Sequence, residues 1–153
     1  MRENQYQKII ISILVILGLS CLMGADNAVK QNEKEIVIIV NNDVAKEVVT
    51  YNDMKNMFLN KRIKWSNGKA VVPMVLKSGE IHEKFLKQYV SKTRAQYLSY
   101  WKKLIFTGKA KMPKTFTNES ELLKYVAKTP GAIGYVSAAT AKDSKLVTVI
   151  TVK

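Results

Sequence analysis

One cysteine and one histidine in 153 residues leave little material for metal chemistry. Cys21 has no partner for an internal disulfide. Multi-cysteine zinc or iron–sulfur sites and histidine-rich centres are excluded, so no metal and no cofactor is expected. A lone histidine also argues against a Ser-His-Asp engine. Walker A, GxGxxG and GxSxG patterns are missing, and the chain is not read as an enzyme. Glycine and proline are scarce, at 7 and 3 positions, while 47% of residues are hydrophobic; that excludes a disordered or collagen-like chain.

Acids are few as well. There are 12 against 25 bases, a formal net charge of +13, so any partner selected by charge is anionic. Only three of the bases are arginine (Arg2, Arg62, Arg94), and the aromatics fall at helix-core spacing rather than between arginines. Nucleic acid is therefore not expected as a partner. The lysines read as a solvated positive surface, with attachment to acidic lipid headgroups as an alternative.

The N-terminus carries Arg2 and Lys8, then an uncharged run from Ile9 to Ala25. Its strongly apolar part, Ile9 to Leu19, is about half of what a membrane span needs. Residues 1–25 are accordingly expected to be a secretory signal peptide and residues 26–153 the mature domain, working in the periplasm or outside the cell. Two alternatives stay open: a lipid on Cys21, or an uncleaved segment that anchors the chain. A mature domain without cysteine suits an oxidising compartment.

Ile36 to Val40 (IVIIV) has the length and β-branching of a strand buried on both faces. Thr50 with Asp53 can cap a helix whose Tyr51, Met54, Met57 and Phe58 share one face. Ala70 to Leu76 reads as a second strand, with Pro73 arguing for an edge position or a break. Helices are expected around Ile81–Phe85–Tyr89, around Tyr97–Trp101–Leu104, and after Asn118, which pairs with Glu121 as a capping box. Thr129-Pro130-Gly131 stops the last of them, and Ile133–Val136 and Leu146–Val152 close the chain as strands. The order β-α-β-α-α-α-β-β defines an α/β protein whose sheet is mixed and mostly parallel, flanked by helices.

Lys77-Ser78-Gly79-Glu80 joins the second strand to the next helix. Such a turn exposes N–H groups where the helix dipole favours an anion, outside the carboxyl end of a strand. It is equally an ordinary turn and cap. His82, next to Glu83 at the helix start, is read either as exposed and solvated or as a ligand contact.

Five segments together resemble a known family. They are IVIIVNN (Ile36 to Asn42), DMKNMFLN (Asp53 to Asn60) leading through KRIKW to Trp65, VVPMVL (Val71 to Leu76), YWKKLIFTGKAKMPK (Tyr100 to Lys114) and TPGAIGYV (Thr129 to Val136). The chain resembles the short phosphate ABC transporter substrate-binding protein-like family, a reduced form of type II periplasmic binding proteins. The resemblance implies a single lobe of that fold and an exported, noncatalytic solute-binding protein for phosphate or another small anion, as part of an ABC-type uptake system. The turn and the resemblance together put the expected anion-binding site at Lys77, Ser78, Gly79 and His82. Full-length receptors carry roughly a Gly-Ser-Gly-Thr-Arg turn there. One register puts His82 at the arginine and Gly79 at the serine; a one-residue shift restores Ser78-Gly79 to the Ser-Gly. Either register loses the arginine, and Glu80 adds a negative charge. Implied partners are the anion, an ABC permease or another envelope protein, and a second copy of the chain. A different class of reading keeps the fold as a structural or adaptor module that no longer binds anions.

Overall fold

Strand β1 (Ile36–Val40) forms where the apolar, β-branched run predicts it, and Ile38, Ile39 and Val40 are buried. In the computed structural model, which describes residues 34–44 and 48–153, this strand lies inside a five-stranded sheet. The expected leader, its cleavage region and Cys21 lie outside the described residues. After β1 come α1 (Tyr51–Phe58), β2 (Val72–Leu76), α2 (Glu80–Phe85) and α3 (Arg94–Phe106). The chain then continues through β3 (Lys114–Phe116), α4 (Glu119–Lys128), β4 (Ala132–Ser137), the single turn α5 (Ala138–Ala141) and β5 (Thr148–Ile150). Among the described residues no helix is long and apolar enough to cross a membrane.

The sheet order is β3-β2-β4-β1-β5. It is mixed, as expected, with its parallel pairings confined to one half. β2 runs parallel to β3 and β4, whereas β1 runs antiparallel to β4 and β5. All three parallel strands therefore present their carboxyl ends, and the helices that follow them, along one edge.

Helix starts follow local chemistry. Thr50 caps α1 through the Asp53 N–H while Asp53 returns a bond to the Thr50 N–H, and Thr93 and Gln96 form the same reciprocal box on α3. Asp53 also pairs with Arg62 at 2.7 Å. Asn118 caps α4 through the Glu121 N–H at 2.8 Å. α1 buries Met54, Met57 and Phe58 as predicted, but Tyr51 is exposed and stacks on Tyr89 at 5.3 Å. Tyr51 lies in the first turn, where the helix has only begun to meet the core. α2 runs on without a break into a π-helical turn (Leu86–Val90), which Ser91 ends in the left-handed conformation.

Two expectations about strands change. β2 is flanked by β3 on one side and β4 on the other, so Pro73 does not mark an edge strand. The pairing with β3 begins only at Met74, and Pro73 lies just before it, where a missing N–H costs no ladder bond on that side. The closing strand is shorter than Leu146–Val152: only Thr148–Ile150 pairs with β1, and Val152 makes an isolated bridge to Val49. Strand β3 and turn α5 are additions to the predicted order.

An aromatic stack fills the space between the sheet and α1 and α2. The Phe85 ring lies 3.6 Å from that of Tyr135, almost parallel, and Phe58 meets Phe85 edge-on at 4.7 Å. This stack fixes the level at which α2 sits over the end of β2.

Candidate functional site

Three helices begin where a parallel strand ends, and they are finished differently. At the end of β3, the Asn118 side chain occupies the first turn of α4. At the end of β4, Ser137 caps α5 through the Thr140 N–H, while the Ser137 N–H donates to the Glu119 carboxylate. At the end of β2, Gly79 is the cap residue of α2 and no side chain fills the turn. A helix start leaves several N–H groups without intrahelical partners, and this corner lacks the side-chain acceptor that Asn118 and Ser137 each supply to one such N–H at its neighbours.

Gly79 sits at φ +106°, a conformation that side chains rarely adopt, and a Cβ placed there would meet nothing within 4 Å. Glycine is required here for the backbone angle alone, since the space in front of the corner is open. Lys77, Ser78 and Gly79 are all exposed. The Lys77 N–H is already used, donating to the Phe116 carbonyl at 2.8 Å, so Lys77 can offer only its ammonium group. Glu80 pairs with Lys84 at 2.8 Å one turn on, which draws its carboxylate along α2.

His82 is not where the sequence reading puts it. The ring is 3% exposed, so the expectation of solvated surface fails. Its Nδ1 lies 2.6 Å from the Tyr135 hydroxyl, which also accepts the Leu76 N–H at 3.0 Å. The tautomer that gives the Tyr135 O–H an acceptor leaves His82 Nδ1 unprotonated, with the proton of the neutral imidazole on Nε2. Burial, helped by the charge of Arg94, pushes the His82 pKa down to about 4. Burial likewise pushes the Tyr135 hydroxyl well above the ordinary tyrosine range. The physical reason is helical geometry: with Ile81 and Phe85 packed on the core, position 82 also turns toward β4, where a tyrosine hydroxyl waits. His82 thus ties α2 to the end of β2 as a neutral group and supplies no charge to the corner.

The positive charge comes instead from a residue that sequence reasoning missed. Arg94, the first residue of α3, donates from Nε to the Lys77 carbonyl at 3.2 Å. The arginine absent from the turn itself is delivered from 17 residues downstream. The Thr93/Gln96 capping box is the one local signal that sets Arg94 at a helix start; nothing in the sequence tells which strand that start faces. Arg94 also borders an open concavity of about 670 Å³ lined by Glu83, Lys87, Ser91, Lys92 and Thr93. Three cations face one carboxylate there. Among the described residues, no group of three or more histidine, cysteine or acidic side chains is placed to hold a metal.

No protein-family model matches the sequence, and no curated protein matches it. Solved structures do. The fold is that of one lobe of a type II periplasmic binding protein, as the sequence resemblance implies. The similar structures are an ABC-type phosphate transport receptor from Vibrio cholerae, a possible phosphate binding protein from Planctomyces limnophilus DSM 3776, and PstS from Borrelia burgdorferi. The Vibrio receptor superposes with a TM-score of 0.59 at 12% identity over 76% of this chain and 45% of its own. The Planctomyces protein gives 0.55 at 14% identity, covering 77% and 41%, and the Borrelia protein 0.56 at 16%, covering 77% and 47%. The chain spans under half the length of each of these proteins, and identities this low speak for the fold alone.

Proposed function

We propose that this chain is an exported solute-binding protein that takes phosphate or another small oxyanion at the Lys77–Gly79 corner, as a component of an ABC-type uptake system. The observation that carries the reading is the uncapped corner with the Arg94 guanidinium beside it. Ser78 and Gly79 supply backbone N–H groups, and Ser78 adds a hydroxyl. Arg94 keeps its Nη groups for a planar, two-pronged contact that suits a tetrahedral oxyanion. Lys77 adds charge, and the surrounding lysines raise the local anion concentration. His82 acts from behind, holding α2 in register.

Residues 1–25 serve as the export signal in this reading, with the domain from residue 26 onward working in the periplasm. A single lobe leaves one side of its anion in water, where each hydrogen bond contributes less. A second copy or another envelope protein that closes over the corner supplies the missing wall.

Isothermal titration of inorganic phosphate, sulfate and acetate into the protein tests the proposal. Saturable heat with phosphate is expected, and Arg94→Ala weakens it at least about tenfold, the effect of one charge-assisted bond. No heat with any of the three at millimolar concentration overturns it. A second reading, an adaptor module without anion binding, is favoured by Glu80 and Glu83, which put two carboxylates in the first turn of α2. It predicts a stable envelope partner whose binding is indifferent to phosphate.

A further inference from the structure

Helix α3 has apolar residues on two sides. Tyr97 and Trp101 are buried against the core. On the outward side Leu98, Ile105 and Phe106 are exposed, Phe106 to 92%. A surface helix that packs one face ordinarily keeps the other polar. Lys102 and Lys103 line a shallow depression together with Ile105 and Phe106. The chain after the helix folds back so that the Lys109 N–H donates to the Leu104 carbonyl at 2.9 Å, which brings a third lysine to the same end. None of the three lysines has an acidic partner among the described residues, and from Lys84 to Asn118 the sequence holds nine bases and no acid.

We propose that this end of α3, centred on Phe106 and ringed by Lys102, Lys103 and Lys109, seats the protein on an anionic phospholipid surface. An aromatic knob with lysines around it matches both layers of such a surface, acyl boundary below and phosphate above. A second copy of the chain is disfavoured, because the same face would bring like charges together. A protein partner would need a pocket to receive Phe106, whereas a bilayer adapts to a protruding ring. The proposal stands independently of the anion corner, since none of its residues contributes there.

The test uses the full chain carrying Phe106→Trp, a change at a solvent-exposed position that the fold tolerates. The native Trp65 and Trp101 are buried at 3% and 1% exposure and give a fixed background. Vesicles of phosphatidylcholine with phosphatidylglycerol, with brominated acyl chains as quenchers, report whether residue 106 enters the interface. This signal is separate from any binding through residues 9–25. A blue shift and quenching on phosphatidylglycerol vesicles, absent on pure phosphatidylcholine, are expected. Adding Lys102→Glu and Lys103→Glu should lower this partition roughly twentyfold or more, at about fivefold per lysine, and raised salt should weaken it. If residue 106 stays water-exposed while the chain sediments with the vesicles, the proposal is overturned. An equal signal on neutral vesicles overturns it too, as does shielding of residue 106 only by an acidic protein.

Discussion

Two glycines beside the parallel strands, Gly131 and Gly79, share a positive φ and differ in everything around it. At Gly131 (φ +73°) a Cβ would lie 2.2 Å from the Ala70 carbonyl oxygen. Its own N–H donates to Asp43 at 3.1 Å, and its carbonyl accepts from Trp65 Nε1 at 2.9 Å and from Val72. Gly79 has open space in front of it and no cap. The first is a closed joint between α4, β4 and the Trp65 loop, with all its polar groups used inside the fold. The second is a joint left open on one side. The two lie at opposite ends of parallel strands, Gly131 before β4 and Gly79 after β2, and the fate of their polar groups separates a turn closed within the fold from one left open.

Substitutions can break that contrast or sharpen it. Gly131→Ala adds a steric clash with backbone to an unfavourable φ and should cost about 3 kcal/mol or more, read as a lowered denaturant midpoint with unchanged slope. Gly79→Ala meets no atom and should cost only the backbone strain, about 2 kcal/mol, while still weakening phosphate by displacing the corner N–H groups. If the two substitutions destabilise equally, the distinction between closed and open joints is wrong.

The His82–Tyr135 tie behind the corner titrates. An unfolded chain takes up a proton on His82 near pH 6.5, whereas the folded ring resists until about 4. Its contribution is complete above pH 6.5 and is lost as pH falls toward 4, by up to about 2 kcal/mol once solvent screening is allowed for. His82→Gln keeps an acceptor for the Tyr135 hydroxyl and should flatten that slope in urea melts between pH 4 and 6.5. Asp43 and Asp53 are held below the ordinary aspartate value by bonds from Lys69, Gly131, Thr50 and Arg62, so their losses fall at lower pH. Asn118→Ala, at a corner closed by its own side chain, should cost about 1 kcal/mol and leave phosphate binding untouched.

Much of the fold was legible because it rests on local patterns. β1 has the predicted bounds, α1 has its Thr50/Asp53 box, and Thr129-Pro130-Gly131 stops α4. Strand β3 was not legible: three residues, Lys114–Phe116, carry too little periodicity to show. Strand direction was not legible either, since a buried run such as IVIIV looks the same whether its neighbours run with it or against it. At the site, the Ser78-Gly79 turn and His82 were visible in the sequence, but the burial of His82 against Tyr135 and the approach of Arg94 to Lys77 were not. His82 went inward because of a tyrosine 53 positions away, and Arg94 reached Lys77 across a gap of 17. Both depend on long-range contacts that no window of sequence contains.

A two-dimensional amide spectrum recorded while inorganic phosphate is added compares the three corners in one experiment. Saturable shifts are expected at Ser78, Gly79 and the Arg94 guanidinium, with Asn118, Glu121, Ser137 and Thr140 unmoved. Shifts spread evenly over the lysine surface, or none at Ser78 and Gly79 at millimolar phosphate, would contradict this expectation.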